Sequence, residues 1–178
     1  MSRQYFQDLP TEGPCLNQTA MVATSIEALF PPTPYTLIPT ADIRAGKMWK
    51  LTACGIMSFA STGTLILNPF YGTSTGGVTM GANSTALPNQ GVTTAQPWWL
   101  EFMMTCRTVG LPGVNSTFIG HGFFMTNTTF VASTSIAYMT IGGTVATGDP
   151  TLGGICIGKT LSVAGTMTTQ QIALQSLN

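Results

Sequence analysis

The chain has 178 residues, which is enough for one domain with a substantial core, and only 7% of them are charged. Six basic and six acidic residues give a formal net charge of zero, whereas an average soluble domain is about 25% charged. This balance argues against nucleic-acid binding, which needs a basic surface, and no apolar run is long enough to cross a membrane. We therefore expect neither nucleic acid nor a membrane among the partners.

The shortage of charge indicates a surface that is largely covered by partners. A free monomer normally keeps a well-charged surface and a net charge away from zero, because both keep it soluble. Depletion of charged residues is instead a property of the cores of protein–protein interfaces. We therefore expect the chain to assemble with copies of itself and with a larger particle. The alternative is a monomer whose solubility comes from neutral Thr, Ser and Asn side chains.

Residues 1–33 are interpreted as an extended N-terminal arm ahead of a domain over residues 34–178. The arm ends in a proline-rich stretch that starts at Phe30, and proline enforces extended backbone and stops any local helix. We predict that the arm lies across a neighbouring surface, with Tyr5, Phe6 and Phe30 as candidate interface residues. The alternative is an edge strand and loop of the same domain. The opening residues lack the apolar core of a signal peptide, so we expect synthesis and assembly in a cytoplasm.

Beyond the arm, the chain is a succession of predicted strands separated by turns. Thr is frequent and there are 20 glycines, a composition typical of strands and tight corners, and no amphipathic helix intervenes. The predicted strands cover residues 35–38, 48–60, 64–68, 98–109, 116–125, 131–141, 151–163 and 166–177. About eight strands at this spacing predict an all-β fold, an antiparallel β-sandwich of jelly-roll type. Residues 72–96 are predicted to be a long loop with one short strand near residues 78–80.

The clearest predicted strand begins with two adjacent tryptophans. Alternation along it places one set of large side chains on a single face: Trp98, Leu100, Phe102, Met104 and Cys106. Of Trp98 and Trp99, one indole is therefore expected in the core and the other at a subunit contact, where Trp is enriched, and both are candidate interface residues. A sugar-binding platform is the alternative for the outer indole. Glu101, on the opposite face from Leu100, is expected to pair with Lys50 or Arg107 across strands.

The chain offers no recognisable catalytic or metal-binding constellation. Its only histidine, His121, lies between two glycines and is flanked by aromatic residues, and such a histidine is more often packed or at an interface than a general base. The four cysteines stand singly, without the spacing of zinc or redox motifs. Cys54 and Cys106 lie in apolar stretches and are expected to be small buried hydrophobic residues. We expect no enzyme, no cofactor and no metal, and take His121 as a candidate interface residue.

The body of the chain carries a series of short motifs between Ile38 and Asn178. They are Ile38-Pro39-Thr40-Ala41-Asp42-Ile43-Arg44-Ala45-Gly46-Lys47, Trp49-Lys50-Leu51-Thr52-Ala53-Cys54-Gly55, Thr64-Leu65-Ile66-Leu67, Tyr71-Gly72, Pro97-Trp98-Trp99-Leu100-Glu101, Thr105-Cys106-Arg107-Thr108-Val109-Gly110, Thr168-Thr169-Gln170 and Ser176-Leu177-Asn178. Their order resembles that of small virion structural proteins of tailed bacteriophages, particularly those that infect actinobacteria. The resemblance implies a jelly-roll β-sandwich, commonly trimeric, that is mounted on the capsid exterior or on the tail and has no catalytic residues.

These observations together predict a non-enzymatic capsid decoration protein. We expect it to bind the major capsid protein on the outer head shell as a homotrimer and to stabilise that shell, so that its location is the virion surface. The alternative from another class is a receptor- or glycan-binding module of a tail or tail fibre, which the tryptophan pair and the predicted long loop favour. An enzyme that uses His121 ranks third.

Overall fold

The computed structural model describes residues 26–29, 38, 43–59, 61, 63–72, 78–80, 84, 87–90, 93–110, 116–126, 136–145 and 154–177. These residues form ten strands: β1 (Glu27–Ala28), β2 (Met48–Phe59), β3 (Gly63–Gly72), β4 (Val78–Thr79), β5 (Leu87–Gln90), β6 (Thr93–Thr108), β7 (Ser116–Thr126), β8 (Ile136–Val145), β9 (Gly154–Leu161) and β10 (Gly165–Ser176). None of the described residues belongs to a helix, so this part of the chain holds no helix that could cross a membrane. The all-β prediction is confirmed, whereas the count of about eight strands is not.

The strands pair in two five-stranded antiparallel sheets. Sheet I has the order β10-β2-β6-β7-β8, and sheet II has the order β1-β9-β3-β4 with β5 also paired to β3. Within sheet I, β6, β7 and β8 are consecutive neighbours, so that part is a simple meander. β2 joins this meander by pairing with β6, and two further long pairs, β2 with β10 and β3 with β9, join segments that are far apart in the sequence.

Those two distant pairs are continuous with each other and form one bent antiparallel ribbon. The pairing runs from Trp49 opposite Ser176 in sheet I to Gly72 opposite Gly154 in sheet II. One strand of the ribbon is β2 followed by β3, and the other is β9 followed by β10. Both strands therefore change sheets at the same corner, as strands do at the corners of packed sheets.

Backbone and hydroxyl hydrogen bonds hold the corner of the ribbon together. The Ser162 N–H donates to the Thr64 carbonyl oxygen at 3.0 Å, and the Ser162 hydroxyl accepts from the Thr64 N–H at 2.7 Å. Gly63 has no side chain here, and a Cβ at that position would lie 2.4 Å from Cγ2 of Val163. A larger residue at position 63 would therefore force the side chain of Val163 to shift.

The inward faces of the two sheets share one hydrophobic core. Alternate residues of β2 and β6 are buried, which confirms the predicted inward face of Trp98, Leu100, Phe102, Met104 and Cys106. Tyr71 of sheet II stacks on Phe118 of sheet I, with ring centroids 5.2 Å apart and planes inclined by 23°. Such an offset aromatic pair adds about 0.5–1.5 kcal/mol to the area that the rings bury, and here it joins the two sheets directly.

A short N-terminal stretch belongs to the body of the fold. Glu27 lies opposite Lys159 in the β1–β9 pairing, and the buried Leu29 contacts both sheets through its backbone. Its N–H donates to the Ile157 carbonyl oxygen of sheet II at 2.7 Å, and its carbonyl oxygen accepts from the Thr169 hydroxyl of sheet I at 2.6 Å. For residues 26–29 the structure agrees with the alternative to an arm, which was an edge strand of the same domain.

The rest of the predicted arm lies outside the described residues, including Tyr5, Phe6 and Phe30, so its course stays a prediction. The stretch predicted as a long loop is more structured than expected. The short strand near residues 78–80 is confirmed as β4, but β5 was missed, and β6 begins at Thr93 instead of Trp98.

Candidate interaction face

The two sheets differ in how their outer faces are covered. In sheet II, seven of the eight residues of β9 are buried, so both of its faces are covered by the chain itself. In sheet I, the residues of β2 alternate strictly between buried and half-buried, and those of β7 alternate in a similar way. Among the described residues, the outer face of sheet I is therefore the large accessible sheet surface.

That outer face, called the Trp99 face below, is apolar at its centre and polar along one side. The large apolar side chains that point outward from its central strands β2, β6 and β7 are Met48, Ile56, Pro97, Trp99, Met103, Ile119, Phe123 and Met125. The outward residues of the edge strand β10 are mostly neutral and polar, namely Thr166, Thr168, Gln170, Gln171, Ala173 and Gln175. An antiparallel sheet normally turns polar side chains to water, so an apolar outer face indicates a partner surface.

Trp99 is the most prominent residue of the face, with 45% of its surface exposed. The strand pairing places it between Cys54 of β2 and Met125 of β7. A shallow groove beside the indole is also lined by Thr52 and Gln171. A half-exposed indole with an apolar neighbour on each side is the type of residue that dominates binding energy at protein interfaces.

Trp98 is the core member of the tryptophan pair, which confirms the prediction that one of the two indoles lies in the core. Only 3% of its surface is exposed, its Nε1 donates to the Ile56 carbonyl oxygen at 3.2 Å, and its ring stacks on Phe124 at 5.6 Å. Gly55 makes this position possible, since a Cβ there would lie 2.8 Å from Cζ2 of Trp98 and would overlap the Thr168 carbonyl oxygen. Trp99 is left as the tryptophan available to a partner.

One ion pair lies within the Trp99 face. Lys50 Nζ is 2.9 Å from Glu101 Oε2, and both side chains are partly exposed. This confirms Lys50 as the partner of Glu101 in preference to Arg107. An exposed pair of this kind adds little to stability, about 0–1 kcal/mol, but it leaves the surrounding surface without net charge.

His121 also lies on the Trp99 face, exposed and directly opposite Met103 of β6. No group of three or more His, Cys, Asp or Glu residues that could hold a metal occurs in the described part of the chain. Its position is that of an exposed residue on the outer face of sheet I.

The cysteines divide between core and surface. Cys106 and Cys156 are buried, and burial raises the pKa of both thiols, that of Cys156 to about 11. The prediction that Cys54 is buried was wrong: it is half-exposed beside Trp99, with its Sγ 3.7 Å from the Gln171 side-chain oxygen. Cys54 points outward because it shares the strand alternation of Lys50 and Thr52.

Lys159 is a buried polar residue that the sequence did not reveal. It is fully buried on β9, paired in register with Leu67 of β3 and with Glu27 of β1. Leu67 belongs to the core, so the two residues share the inward face of sheet II. Lysine is almost never fully buried, so its residue type predicts an exposed position.

Comparisons with protein-family models, with curated proteins and with solved structures found no match to this chain. What the fold and the face define is a class: an all-β protein of two antiparallel sheets with an apolar, nearly uncharged outer sheet surface.

Proposed function

We propose that the chain is a non-enzymatic virion structural protein of a tailed bacteriophage, a capsid decoration protein. In this role it binds the major capsid protein on the outer head shell as a homotrimer and stabilises the shell. The observation that carries the proposal is the Trp99 face, an apolar sheet surface with a polar side on a chain that is only 7% charged. A surface of that composition suits permanent contacts with other proteins better than it suits free solution.

The sheet connectivity supports a jelly-roll type of sandwich as the underlying architecture. A jelly roll is a long antiparallel ribbon rolled up so that its strands are shared between two packed sheets. The bent ribbon of β2–β3 with β9–β10 has that property, since it contributes one pair of strands to each sheet. The meander of β6, β7 and β8 departs from the regular pattern, because the innermost strands stay in one sheet.

The proposal is tested by locating the protein on purified particles. We expect it in a fixed ratio to the major capsid protein and as density on the outside of the head in electron microscopy. Shells that lack the protein should disassemble at a lower temperature, and adding back the purified chain should restore their stability. Particles without stoichiometric copies, or copies confined to the tail, would contradict the decoration role.

The exposed indole of Trp99 favours one alternative, a receptor- or glycan-binding module of a tail or tail fibre. Sugars stack on exposed aromatic rings, and the groove beside Trp99 offers polar atoms from Thr52 and Gln171. Binding of host-surface glycans that disappears in Trp99→Ala would support it. Val109→Ala is the matched control, since Val109 is 42% exposed and lies beyond the end of β6. The alternative fails if the wild-type chain binds neither glycans nor host cells.

A further inference from the structure

We infer that the Trp99 face is the surface on which copies of this chain meet. The inference deepens the proposed function, because it assigns the self-association of the homo-oligomer to a particular sheet face. The partner is therefore a second copy of the chain. The capsid shell then contacts the oligomer through surfaces other than the Trp99 face.

The size of the face matches what a stable association of two copies requires. Strands lie about 4.8 Å apart and residues about 3.4 Å apart along a strand. The rows of Lys50, Thr52 and Cys54 cross all five strands, and the rows of Met48 and Ile56 add four and three positions, so the outward positions together cover about 700 Å². A specific protein–protein interface of standard size buries about 800 Å² on each partner.

The charge of the face also fits a second copy. Lys50 and Glu101 already neutralise each other within one chain, so the centre of the face offers no unbalanced charge to an oppositely charged partner. The chain as a whole has a formal net charge of zero, so two copies do not repel each other. A partner that is itself apolar and neutral meets these conditions, and another copy of the chain is such a partner.

The arrangement of side chains resembles the anatomy of known interfaces. An apolar centre enriched in Trp, Phe and Met, surrounded by a polar rim, is the usual pattern. Here Trp99, Phe123 and Met103 lie at the centre, and the glutamines and threonines of β10 line one side. Ile119, which is 43% exposed, extends the apolar surface toward the far end of β7.

The first test measures the mass of the purified chain by sedimentation or light scattering. We expect the wild type to be oligomeric, and Trp99→Lys and Ile119→Lys each to weaken self-association by at least about 10-fold, since a buried charge opposes the contact. Val109→Lys is the control, because it adds the same charge at an equally exposed apolar residue outside the face. A monomeric wild type, or face variants with the wild-type mass, would overturn the inference.

The second test keeps the face intact and uses Cys54 as a reporter. In a Cys15→Ser background, Cys54 is the half-exposed thiol among the described residues, whereas Cys106 and Cys156 are buried and serve as unreactive references. We expect alkylation of Cys54 to slow by at least about 10-fold as the protein concentration rises through the range in which the mass increases. A rate that is the same at all concentrations, while the mass increases, places the contact elsewhere and overturns the inference.

The two proposals fail in different ways. A chain that self-associates through the Trp99 face but is missing from virions refutes the decoration role and leaves this inference standing. A chain that is found on virions, but whose Cys54 is equally reactive in the monomer and the oligomer, supports the decoration role and refutes this inference.

Discussion

Ala95 adopts a backbone conformation that is unfavourable for a residue with a Cβ atom. Its φ of 51° makes it the one non-glycine residue with positive φ in the described part of the chain. It lies where the β2–β6 register shifts between Met57 and Phe59, and its N–H donates to the Ser58 hydroxyl at 2.9 Å. A β-carbon in this left-handed region costs about 1–2 kcal/mol, which the surrounding pairing must offset.

Replacing Ala95 by glycine should therefore stabilise the protein. We expect Ala95→Gly to raise the free energy of unfolding by about 0.5–1 kcal/mol, because the relief of strain exceeds the extra chain entropy of glycine. Ala173→Gly on β10, where φ is not positive, should lower it by about 0.5–1 kcal/mol. Urea denaturation of both variants measures the difference, and equal losses in the two would contradict this account.

The buried thiol of Cys156 makes stability depend on alkaline pH. Desolvation raises its pKa from 9.0 to about 11, so the folded state holds the proton over a range in which the unfolded chain releases it. The stabilisation is complete below pH 9 and is lost as the pH rises through the folded pKa of about 11, at up to about 1.4 kcal/mol per pH unit.

Urea denaturation between about pH 8 and pH 11 tests this dependence. Cys156→Ala should decline less steeply with pH than the wild type, because it has lost the titrating group. Identical slopes in Cys156→Ala and the wild type would refute the assignment.

At the scale of elements, one side-chain hydrogen bond ties the N-terminal strand to the opposite sheet. The Thr169 hydroxyl donates to the Leu29 carbonyl oxygen in a buried position, while the Leu29 N–H is bonded to β9. Thr169→Val keeps the shape but leaves that carbonyl oxygen without the donor, which costs about 1–3 kcal/mol. Thr168→Val, on the outer face of the same strand, is the control and should change stability by less than about 0.5 kcal/mol.

Hydrogen exchange gives a second readout of the same contact. The Leu29 amide should exchange faster in Thr169→Val and at the wild-type rate in Thr168→Val, since only the first change loosens β1 from the core. Unchanged protection of Leu29 in Thr169→Val would show that β9 alone holds the strand.

The strands that the sequence predicted well are those in which alternation is strong. In β2 and β6 most inward positions carry large apolar side chains, so both the existence of these strands and their inward faces follow from the period of two. β1 and β5 are short and have no such period, and they exist because a neighbouring strand edge was available for pairing. Tertiary pairing of that kind leaves no local signal in the sequence.

The Trp99 face was only partly predictable for a related reason. Strands with apolar residues on both faces look the same whether a partner or the chain itself covers the second face. The sequence therefore identified Trp99 and His121 as candidates but did not separate Ile119 or Phe123 from core residues. The apolar neighbours of Cys54 in the sequence led to the wrong prediction that it is buried. Its side chain points outward because it shares the strand alternation of Lys50 and Thr52.

At the scale of the whole molecule, the low charge predicts an association that is insensitive to salt. The dissociation constant of the oligomer should change less than about 3-fold between about 50 mM and 500 mM sodium chloride, because Lys50 and Glu101 at the centre of the Trp99 face are already paired with each other. Sodium sulfate should strengthen the association, since it favours burial of apolar surface. Sedimentation at each salt concentration measures this, and a steep loss of affinity with sodium chloride would show that unpaired charges carry the contact.

The bent ribbon determines when each sheet can be completed during synthesis of the chain. β2 and β3 emerge early in synthesis, but their partners β10 and β9 are made after everything between them, so neither sheet is complete until residues 154–176 have been added. Contacts between such distant segments form slowly, because a long loop must close first. Until then sheet I, which contains Trp98 and Trp99 of β6, is incomplete. The Trp99 face, which extends across sheet I from β10 to β8, is therefore complete only after the last strand has been made.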